Sequence, residues 1–355
     1  MKIIVLDDGN RGNLNQALGI AERLPGAEIE IIAVSPLSFF CRVGLVLTAN
    51  LVSIVPLFKI RFLLRYFVHI APHFFSAKPA AIISAGSKLA PINILLSRCN
   101  SARSFQVLYP NFLRLRLFDL LVLPEHDRAR YPKIAAADNL MLIKGAPNRI
   151  KSFYLQPSPH RGEEKVRGIT AIAVLVGGDD KNYLISEEWA EEFSRRLIEV
   201  AEQLPAQIYL TTSRRTNLKV ESVFQQRLGS KPERFHLVLY GQAFANPVAE
   251  FLSVADLIIT TEDSINMVSE SASSGKPTVV LKVERKHSKC LVFDQALENL
   301  VVGKYIQLWL LEDLILSKVS EAISSSNRKV LAETEKVAAM VMELLKKKFC
   351  HSRML

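Results

Sequence analysis

The sequence predicts an α/β protein built of two doubly wound, Rossmann-like domains with an interdomain cleft. Short apolar runs alternate with amphipathic segments of helical period along most of the chain. This alternation indicates mostly parallel sheets covered on both faces. One polar, proline-containing stretch interrupts it, and 355 residues are enough for two domains of ordinary size.

The first domain is predicted to span residues 1–155. Its apolar runs and helical periods predict strands Lys2–Asp7, Glu28–Val34, Ala80–Ala85, Phe105–Leu108 and Leu120–Leu123, and helices Asn13–Leu24 and Leu89–Ser97. An apolar and basic helical region, Phe39–Phe75, lies between the second and third strands.

Residues 156–168, QPSPHRGEEKVRG, have no apolar period and are predicted to be a linker. Residues 169–326 form the predicted second domain, and residues 327–355 a C-terminal helix and tail. The elements expected after the linker are strands Ile169–Val176, Ile208–Thr212, Phe235–Tyr240 and Asp256–Thr260, and helices Glu187–Gln203, Leu218–Leu228, Pro247–Val254, Leu291–Leu300, Leu311–Ser324 and Lys329–Lys348.

Charge is distributed unevenly between the two halves. Residues 1–160 hold 19 Lys and Arg against 9 Asp and Glu, whereas the rest of the chain holds 26 of each. A basic half favours an anionic partner, which could be a phospholipid surface, a nucleic acid or an acidic substrate. Aromatic residues are too sparse among the basic ones to indicate RNA stacking, so no nucleic-acid partner is expected.

Four widely spaced cysteines indicate reduced thiols in the cytoplasm and no zinc site, and no other metal is indicated. The N-terminal residues MKIIVLDD do not resemble a signal peptide. The longest charge-free run, Val43–Phe58, has 16 residues, fewer than the roughly 20 that a spanning helix needs.

The next segment, Leu57–Ile70, places Arg61, Arg65 and His69 on one helical stripe between apolar faces. Such a helix can lie in a lipid interface, with Arg61 and Arg65 reaching the headgroups. The alternative is a core-facing helix with a solvated edge. The first interpretation predicts a cytoplasmic protein that is peripheral on the inner face of an anionic membrane.

Polar loops follow several predicted strands of the first domain, where ligands of open α/β sheets bind. In DDGNRGNLNQ, Asp8 could deprotonate an acceptor hydroxyl, and Gly9, Asn13 and Gln16 could contact the substrate. A helix cap with a salt bridge in the turn is the alternative. His126 in PEHD is a second candidate base, and a structural turn histidine is equally consistent with its position. Ser87 in SAGSK could contact a substrate phosphate or only turn the chain.

Three loops of the second domain predict a diphosphate or nucleotide site. Paired glycines in VGGDDKNY suit close contact with a ligand, and hydroxyls beside arginines in TTSRRT suit phosphate oxygens. In the segment ADLIITTEDSINMVSESASSGKPTVVL a helix is predicted to begin directly after a strand, and a helix N-terminus in this position favours binding of an anion. A plain turn, surface arginines and a solvated helix glutamate are the alternatives. The candidate residues in these loops are Gly177, Gly178, Ser213, Arg214, Asp263, Ser264, Ser269 and Glu270.

The motifs DDGNRGNLNQALGIAERL, AAIISAGSKLAP, FDLLVLPEHD, AVLVGGDDKNY, LTTSRRT and TTEDSINMVSESASSGKP together resemble the elongated-mitochondria fission-factor family, over most of the chain. That family looks like the GT-B architecture of nucleotide-sugar glycosyltransferases. The pattern from Ser269 to Pro277 is similar to SExxxxGxP of the lipid-linked peptidoglycan glycosyltransferase. This likeness implies that Glu270 binds a ribose and that the preceding turn binds the diphosphate. The first loop departs from that enzyme, because DDGNRGN replaces a glycine-rich loop with a histidine.

The resemblance implies a metal-independent glycosyltransferase that takes a nucleoside-diphosphate sugar as donor substrate and needs no further cofactor. Its acceptor would be lipid-linked or presented at a membrane. A non-catalytic adaptor and a nucleotide-sugar epimerase are the alternatives, because the fold does not choose between them.

Overall fold

The structure is a computed structural model that describes residues 1–34, 38–75, 77–128, 131, 137–151, 169–242, 247–287, 289, 292–325 and 329–351. The predicted linker, 156–168, lies outside these residues. The chain divides into unit 1, residues 1–149 with 332–355, and unit 2, residues 150–331. This division differs from the predicted domains, because the last helix belongs to unit 1.

Unit 1 contains a six-stranded parallel sheet with the strand order β2-β1-β3-β4-β5-β6. The strands are β1 Lys2–Asp7, β2 Glu28–Ala33, β3 Ala81–Ala85, β4 Arg103–Val107, β5 Leu120–Pro124 and β6 Leu140–Ile143. The helices are α1 Arg11–Ala21, α2 Phe39–Asn50, α3 Leu57–Phe67, α4 Ala90–Asn100 and α11 Glu333–His351.

Alternate residues of β1 enter two different cores, because successive side chains of a strand point to opposite faces. Ile4 and Leu6 pack with α2, α3 and α4 on one face, and Ile3 and Val5 pack with α1 and α11 on the other. The central strands β3 and β5 are buried along their whole length. This is the pattern expected of a parallel sheet covered by helices on both sides.

The C-terminal helix α11 is part of unit 1 and not a separate tail. Its side chains Val337, Val341 and Leu345 are buried in the core that contains α1. At the start of the helix, Glu335 forms an ion pair with Arg23 at 2.6 Å. The sequence predicted the helix but gave no indication of the sheet that it covers.

Unit 2 contains a second six-stranded parallel sheet, of order β10-β9-β7-β11-β12-β14, and a two-stranded antiparallel pair, β13-β8. The strands are β7 Thr170–Leu175, β8 Tyr183–Leu184, β9 Ala206–Thr211, β10 Phe235–Val238, β11 Leu257–Thr261, β12 Thr278–Leu281, β13 Glu284–Arg285 and β14 Gln307–Trp309. The helices are α5 Glu187–Gln203, α6 Leu218–Leu228, α7 Val248–Val254, α8 Ile265–Ser273, α9 Val292–Val302 and α10 Leu316–Ser324.

Helices α5 and α6 begin and end where the sequence predicts. Each begins after a polar N-cap: Ser186 Oγ accepts from Trp189 N–H at 3.1 Å, and Asn217 Oδ1 accepts from Lys219 N–H at 3.0 Å. Their apolar faces, including Phe193 and Phe224, enter the main core of unit 2. The predicted α/β class with two parallel sheets is confirmed.

Strand order locates the edge of each sheet where ligands bind in this class of fold. In unit 2 the order follows the 3-2-1-4-5-6 pattern, in which the strand order reverses between the first and fourth strands, here β7 and β11. In unit 1 the equivalent reversal lies between β1 and β3. The loops after these four strands, together with the helices that follow them, contain most of the predicted site residues.

The basic helix of unit 1 is shorter than predicted. α3 ends at Phe67, and His69 adopts a left-handed backbone with φ 59°. His69 therefore lies outside the predicted stripe, which keeps only Arg61 and Arg65, both exposed. None of the helices in the described ranges is both long enough and apolar enough to cross a membrane.

Candidate functional site

Asp263 joins three loops at the carboxyl edge of the unit 2 sheet. Its carboxylate accepts from Gly178 N–H at 2.9 Å, from Thr261 Oγ1 at 2.6 Å and from Arg215 Nη2 at 2.6 Å. The side chain is fully buried. Three protein groups therefore donate to this carboxylate, which holds the three loops together.

The paired glycines, predicted to contact a ligand, are packed closely against neighbouring loops. A Cβ on Gly177 would lie 2.1 Å from the Asp263 carboxylate, and a Cβ on Gly178 would lie 2.1 Å from the Arg215 carbonyl carbon. Both glycines are buried. The space that side chains would need is thus filled by neighbouring loops of the same unit.

The two arginines after β9 differ sharply in their surroundings. Arg215 is half-buried and donates to the Gly178 carbonyl at 3.1 Å as well as to Asp263. Arg214 is exposed and makes no hydrogen bond or ion pair with any residue that the structure describes. Ser213 has contacts within the same loop: its Oγ accepts from Arg215 N–H at 3.2 Å and lies 3.3 Å from Thr216 Oγ1. Arg214 is therefore the loop cation that remains available to a ligand.

Helix α8 begins immediately after these loops and carries the other predicted residues. Ser264 occupies the N-cap position without a side-chain cap bond. Ser269 is buried and donates to the Ile265 carbonyl at 2.7 Å, so its hydroxyl is used within the helix.

Glu270 is half-buried and has no hydrogen bond or ion pair with a described residue. Burial raises the pKa of Glu270 to about 7. A carboxylate in these surroundings costs desolvation free energy unless a ligand supplies donors, because water is partly excluded. This side chain is the strongest indication of a ligand site in unit 2.

Glu262, which the sequence did not indicate as a site residue, lies beside Asp263 at the same edge of the sheet. Its carboxylate accepts from Val283 N–H at 3.1 Å and from Arg285 Nη2 at 3.2 Å, and Arg285 also binds Asp294 at 2.5 Å. Burial raises the pKa of Glu262, against the opposing effects of Val283 N–H and Arg285. This network attaches the β8–β13 pair to the end of β11. The sequence does not indicate this network, because a single glutamate beside Asp263 forms no recognisable pattern.

A cavity of about 320 Å³ lies at the reversal point of unit 1. Three predicted residues, Asp8, Asn13 and Ser87, line it together. The other lining residues, which the sequence did not indicate, are Asn10, Gly86, Lys88, Leu108, Tyr109, Asp127 and Tyr131. The rings of Tyr109 and Tyr131 stack with centroids 3.7 Å apart.

The loop after β1 is built around two Asx turns. Gly9 N–H donates to Asp7 Oδ1 at 2.8 Å, and Asn10 N–H donates to Asp8 Oδ1 at 3.1 Å. Gly9 has φ +78°, which only glycine adopts without strain. Asn10 caps α1 by accepting from Gly12 N–H at 3.0 Å. The loop therefore caps the helix, which is one part of the alternative interpretation, and Asp8 also lies on the cavity wall.

A buried polar network supports the opposite wall. Asn93 Nδ2 donates to Ser84 Oγ at 2.8 Å, and Ser84 Oγ donates to Gln106 Oε1 at 2.6 Å. Gln106 Nε2 then donates to the Gly86 carbonyl at 3.1 Å. Because a Cβ at Gly86 would meet the Asn13 amide at 2.6 Å, the two walls touch here and hold Ser87 beside Asn13.

Three predicted residues, Gly9, Gln16 and His126, are not among the residues that line the cavity. Gln16 is only 4% exposed on the buried side of α1. His126 lies in the 3₁₀ turn Glu125–Asp127, and its neighbour Asp127 lines the cavity instead. Burial lowers the pKa of His126, with Asp127 acting in the opposite direction. Asp127 therefore joins Asp8 as a carboxylate of the cavity.

Comparison with known proteins identifies the family. Residues 11–345 match the family described as mitochondrial fission ELM1. The chain belongs to this family. An uncharacterised Rickettsia prowazekii protein, RP120, is 26% identical, covering 98% of this chain and 99% of that protein. The Arabidopsis thaliana mitochondrial fission protein ELM1 is 23% identical, covering 62% of this chain and 56% of that protein.

Solved structures show the same fold at low sequence identity. The S. aureus MnaA–UDP structure has a TM-score of 0.55 and 14% identity, covering 97% of each chain. The UDP-GlcNAc 2-epimerase from Neisseria meningitidis bound to UDP-GlcNAc has a TM-score of 0.52 and 12% identity, covering 97% of this chain and 100% of that one. The chain is thus an ELM1-family protein with a GT-B-like α/β fold.

Proposed function

We propose that this protein transfers a sugar from a nucleoside-diphosphate donor to a hydroxyl acceptor at the cytoplasmic face of an anionic membrane. The observation that carries the proposal is Glu270, a half-buried carboxylate without a described partner at the carboxyl edge of the unit 2 sheet. Two adjacent ribose hydroxyls would supply the donors that it lacks. UDP in the MnaA structure of the same fold supports this choice of ligand.

Arg214 and the N-terminus of α8 would hold the diphosphate. An exposed guanidinium can bind phosphate oxygens in bidentate fashion, and a helix N-terminus stabilises negative charge. Ser264 and Ser213 would add hydroxyl donors at the same edge. Asp263, Gly177, Gly178 and Arg215 would position these loops and not bind the donor.

In the transfer step, Asp8 would accept the proton of the acceptor hydroxyl as its oxygen attacks the anomeric carbon. The bond from that carbon to the diphosphate would break, and the nucleoside diphosphate would leave with both electrons. Asp127 becomes the second candidate base in place of His126, because it lines the cavity with Asp8. Asn13 and Ser87 would orient the acceptor. The donor sugar nucleotide would be a substrate, and the proposed step includes no further cofactor.

Isothermal titration with UDP tests the donor site. We expect Glu270→Ala to weaken binding at least tenfold, because each hydrogen bond to a charged group contributes about 1.5–3 kcal/mol. Glu298→Ala, which removes an exposed glutamate of α9, is the matched control and should bind like the unchanged protein. Absence of binding by any nucleoside diphosphate at millimolar concentration would refute the proposal.

Turnover separates transfer from the two alternatives. Incubation with nucleotide sugars and membrane extract should release a nucleoside diphosphate, and Asp8→Asn should abolish release while leaving UDP affinity unchanged. Epimerisation is the second candidate, because one structure of this fold is a UDP-GlcNAc 2-epimerase. It would convert the sugar nucleotide without an acceptor. An adaptor would show neither reaction and would tolerate Asp8→Asn.

A further inference from the structure

Exposed apolar side chains are concentrated on two helices of unit 1. Among the described residues, 22 large hydrophobic side chains are exposed, and 11 of them lie between Phe39 and Phe67. Phe40 is 83% exposed and Phe58 is 68% exposed. Single exposed hydrophobic residues are ordinary on protein surfaces, but such a concentration marks an interaction site.

The exposed side chains form stripes on helices whose other sides are already packed. On α3, Phe58, Phe62 and Tyr66 are exposed at intervals of four residues, whereas Ile60 and Leu64 are fully buried against the core that contains α4. On α2 the same division separates exposed Phe40, Val43 and Leu47 from buried Leu45 and Ala49. Each helix is therefore apolar on two sides, although folding uses only one.

Phe112 extends this surface at the end of α2. It is 88% exposed and has a left-handed backbone with φ 65°, which is strained for a bulky residue. Asn50, the last residue of α2, holds it there: its Nδ2 donates to the Phe112 carbonyl at 2.9 Å, and its Oδ1 accepts from Arg114 N–H at 3.1 Å. The fold thus holds an aromatic ring in solvent at the cost of backbone strain.

The charge of this part of the chain is of one sign. Residues 31–118 contain ten Lys and Arg and no Asp or Glu. Arg42, Arg61, Arg65, Arg114 and Arg116 are all exposed. A second copy of the same surface would bring cations against cations without a carboxylate, which argues against a symmetric dimer through this surface. An anionic lipid layer supplies both the apolar medium and the opposite charge.

We propose that the aromatic face, defined as the exposed apolar side chains of α2 and α3 with Phe112, inserts into one leaflet of an anionic phospholipid bilayer. The surrounding arginines then lie at the headgroup phosphates, where their long side chains reach the polar layer. This inference gives the proposed function its membrane-binding surface, and the attachment itself does not depend on sugar transfer.

Flotation of the full chain with vesicles of phosphatidylcholine, with and without 30 mol% phosphatidylglycerol, tests the proposal. Phe58→Ser/Phe62→Ser should lower the partition coefficient at least tenfold. Leu218→Ser/Val302→Ser, at positions of unit 2 that are 69% and 82% exposed, is the matched control and should change it less than twofold. Arg42→Gln/Arg65→Gln should reduce the preference for anionic vesicles by roughly tenfold or more, since each cation near such a surface contributes about fivefold.

A tryptophan probe locates the surface directly. Emission of Phe62→Trp should shift to the blue on adding anionic vesicles, while Leu218→Trp should not respond. Equal flotation of the Phe58→Ser/Phe62→Ser variant and the unchanged protein would overturn the proposal. The proposal would also be overturned if the unchanged protein were a dimer and this variant a monomer, because the face would then bind protein.

The membrane inference and the proposed function can fail separately. UDP titration of the Phe58→Ser/Phe62→Ser variant should match that of the unchanged protein. Vesicle binding without UDP binding would retain the membrane face and refute the donor site, and UDP binding without vesicle binding would do the reverse.

Discussion

Replacing Asp263 by alanine should destabilise unit 2 without acting directly on a ligand. The change removes the buried partner of Arg215 and leaves Gly178 N–H and the Thr261 hydroxyl without their acceptor. Breaking a buried ion pair from one side costs about 3–5 kcal/mol, and an unsatisfied buried donor about 1–3 kcal/mol. The Arg215 side chain is 32% exposed, so water can solvate its unpaired guanidinium and offset part of this cost. We therefore expect a net cost of about 4 kcal/mol.

Urea unfolding followed by tryptophan emission measures this cost in the relevant unit. Both tryptophans of the chain, Trp189 and Trp309, lie in unit 2 and are largely buried. With a slope of about 2 kcal/mol per M, the midpoint should fall by about 2 M. Asp313→Ala is the matched control, because Asp313 pairs with Lys318 at 2.7 Å on the surface, and it should lose less than about 0.5 M.

Two results would refute the assignment of Asp263 as a positioning residue. Equal midpoint losses for Asp263→Ala and Asp313→Ala would show that the buried network contributes no special stability. A large loss of UDP affinity with an unchanged midpoint would show that the carboxylate binds the ligand itself.

The remaining predictions concern one titration and three loop or helix positions. Because the folded pKa of Glu270 is about 7 against an ordinary 4.5, its contribution to stability is present below pH 4.5 and lost as pH rises through 7. Glu270→Gln should therefore raise the free energy of unfolding of unit 2 at pH 8 by up to about 2 kcal/mol, seen as a higher urea midpoint, and leave it unchanged at pH 4. Gly178→Ala should lower the free energy of unfolding of unit 2 by about 3 kcal/mol, seen as a lower urea midpoint, since its Cβ would lie 2.1 Å from backbone. Gly44→Ala should raise the melting temperature measured by circular dichroism, because this helical position has open space and alanine favours a helix by up to about 1 kcal/mol. Asp127→Asn should lower the transfer rate at saturating donor and leave UDP affinity unchanged, and a normal rate would exclude Asp127 as a base.

Much of the fold could be predicted because local patterns determine its elements. β1 and α5 have the bounds that the sequence predicts, since a continuous apolar run marks a buried strand and a polar cap followed by an amphipathic period marks a helix. The edge strands β6 and β14 were missed. They have four and three residues, and their partial burial leaves only a weak apolar run.

The site was predictable only at the level of its loops. Sequence spacing placed Asp8, Asn13 and Ser87 after neighbouring strands, and they share one cavity. Sequence spacing could not show that Arg214 and Arg215 differ in their surroundings. The difference depends on Asp263, which lies 48 residues after Arg215 and binds that arginine. The same distant side chain gives Gly177 its packing role.

The position of α11 also has a consequence for synthesis on the ribosome. All of unit 2 has been translated before Val337, Val341 and Leu345, which complete the core beside α1. Until these residues emerge, α1 has an uncovered apolar side, while unit 2 already possesses its whole sequence. Unit 2 can therefore finish folding first. Unit 1 is begun before unit 2 and is completed only after it, when α11 has been synthesised.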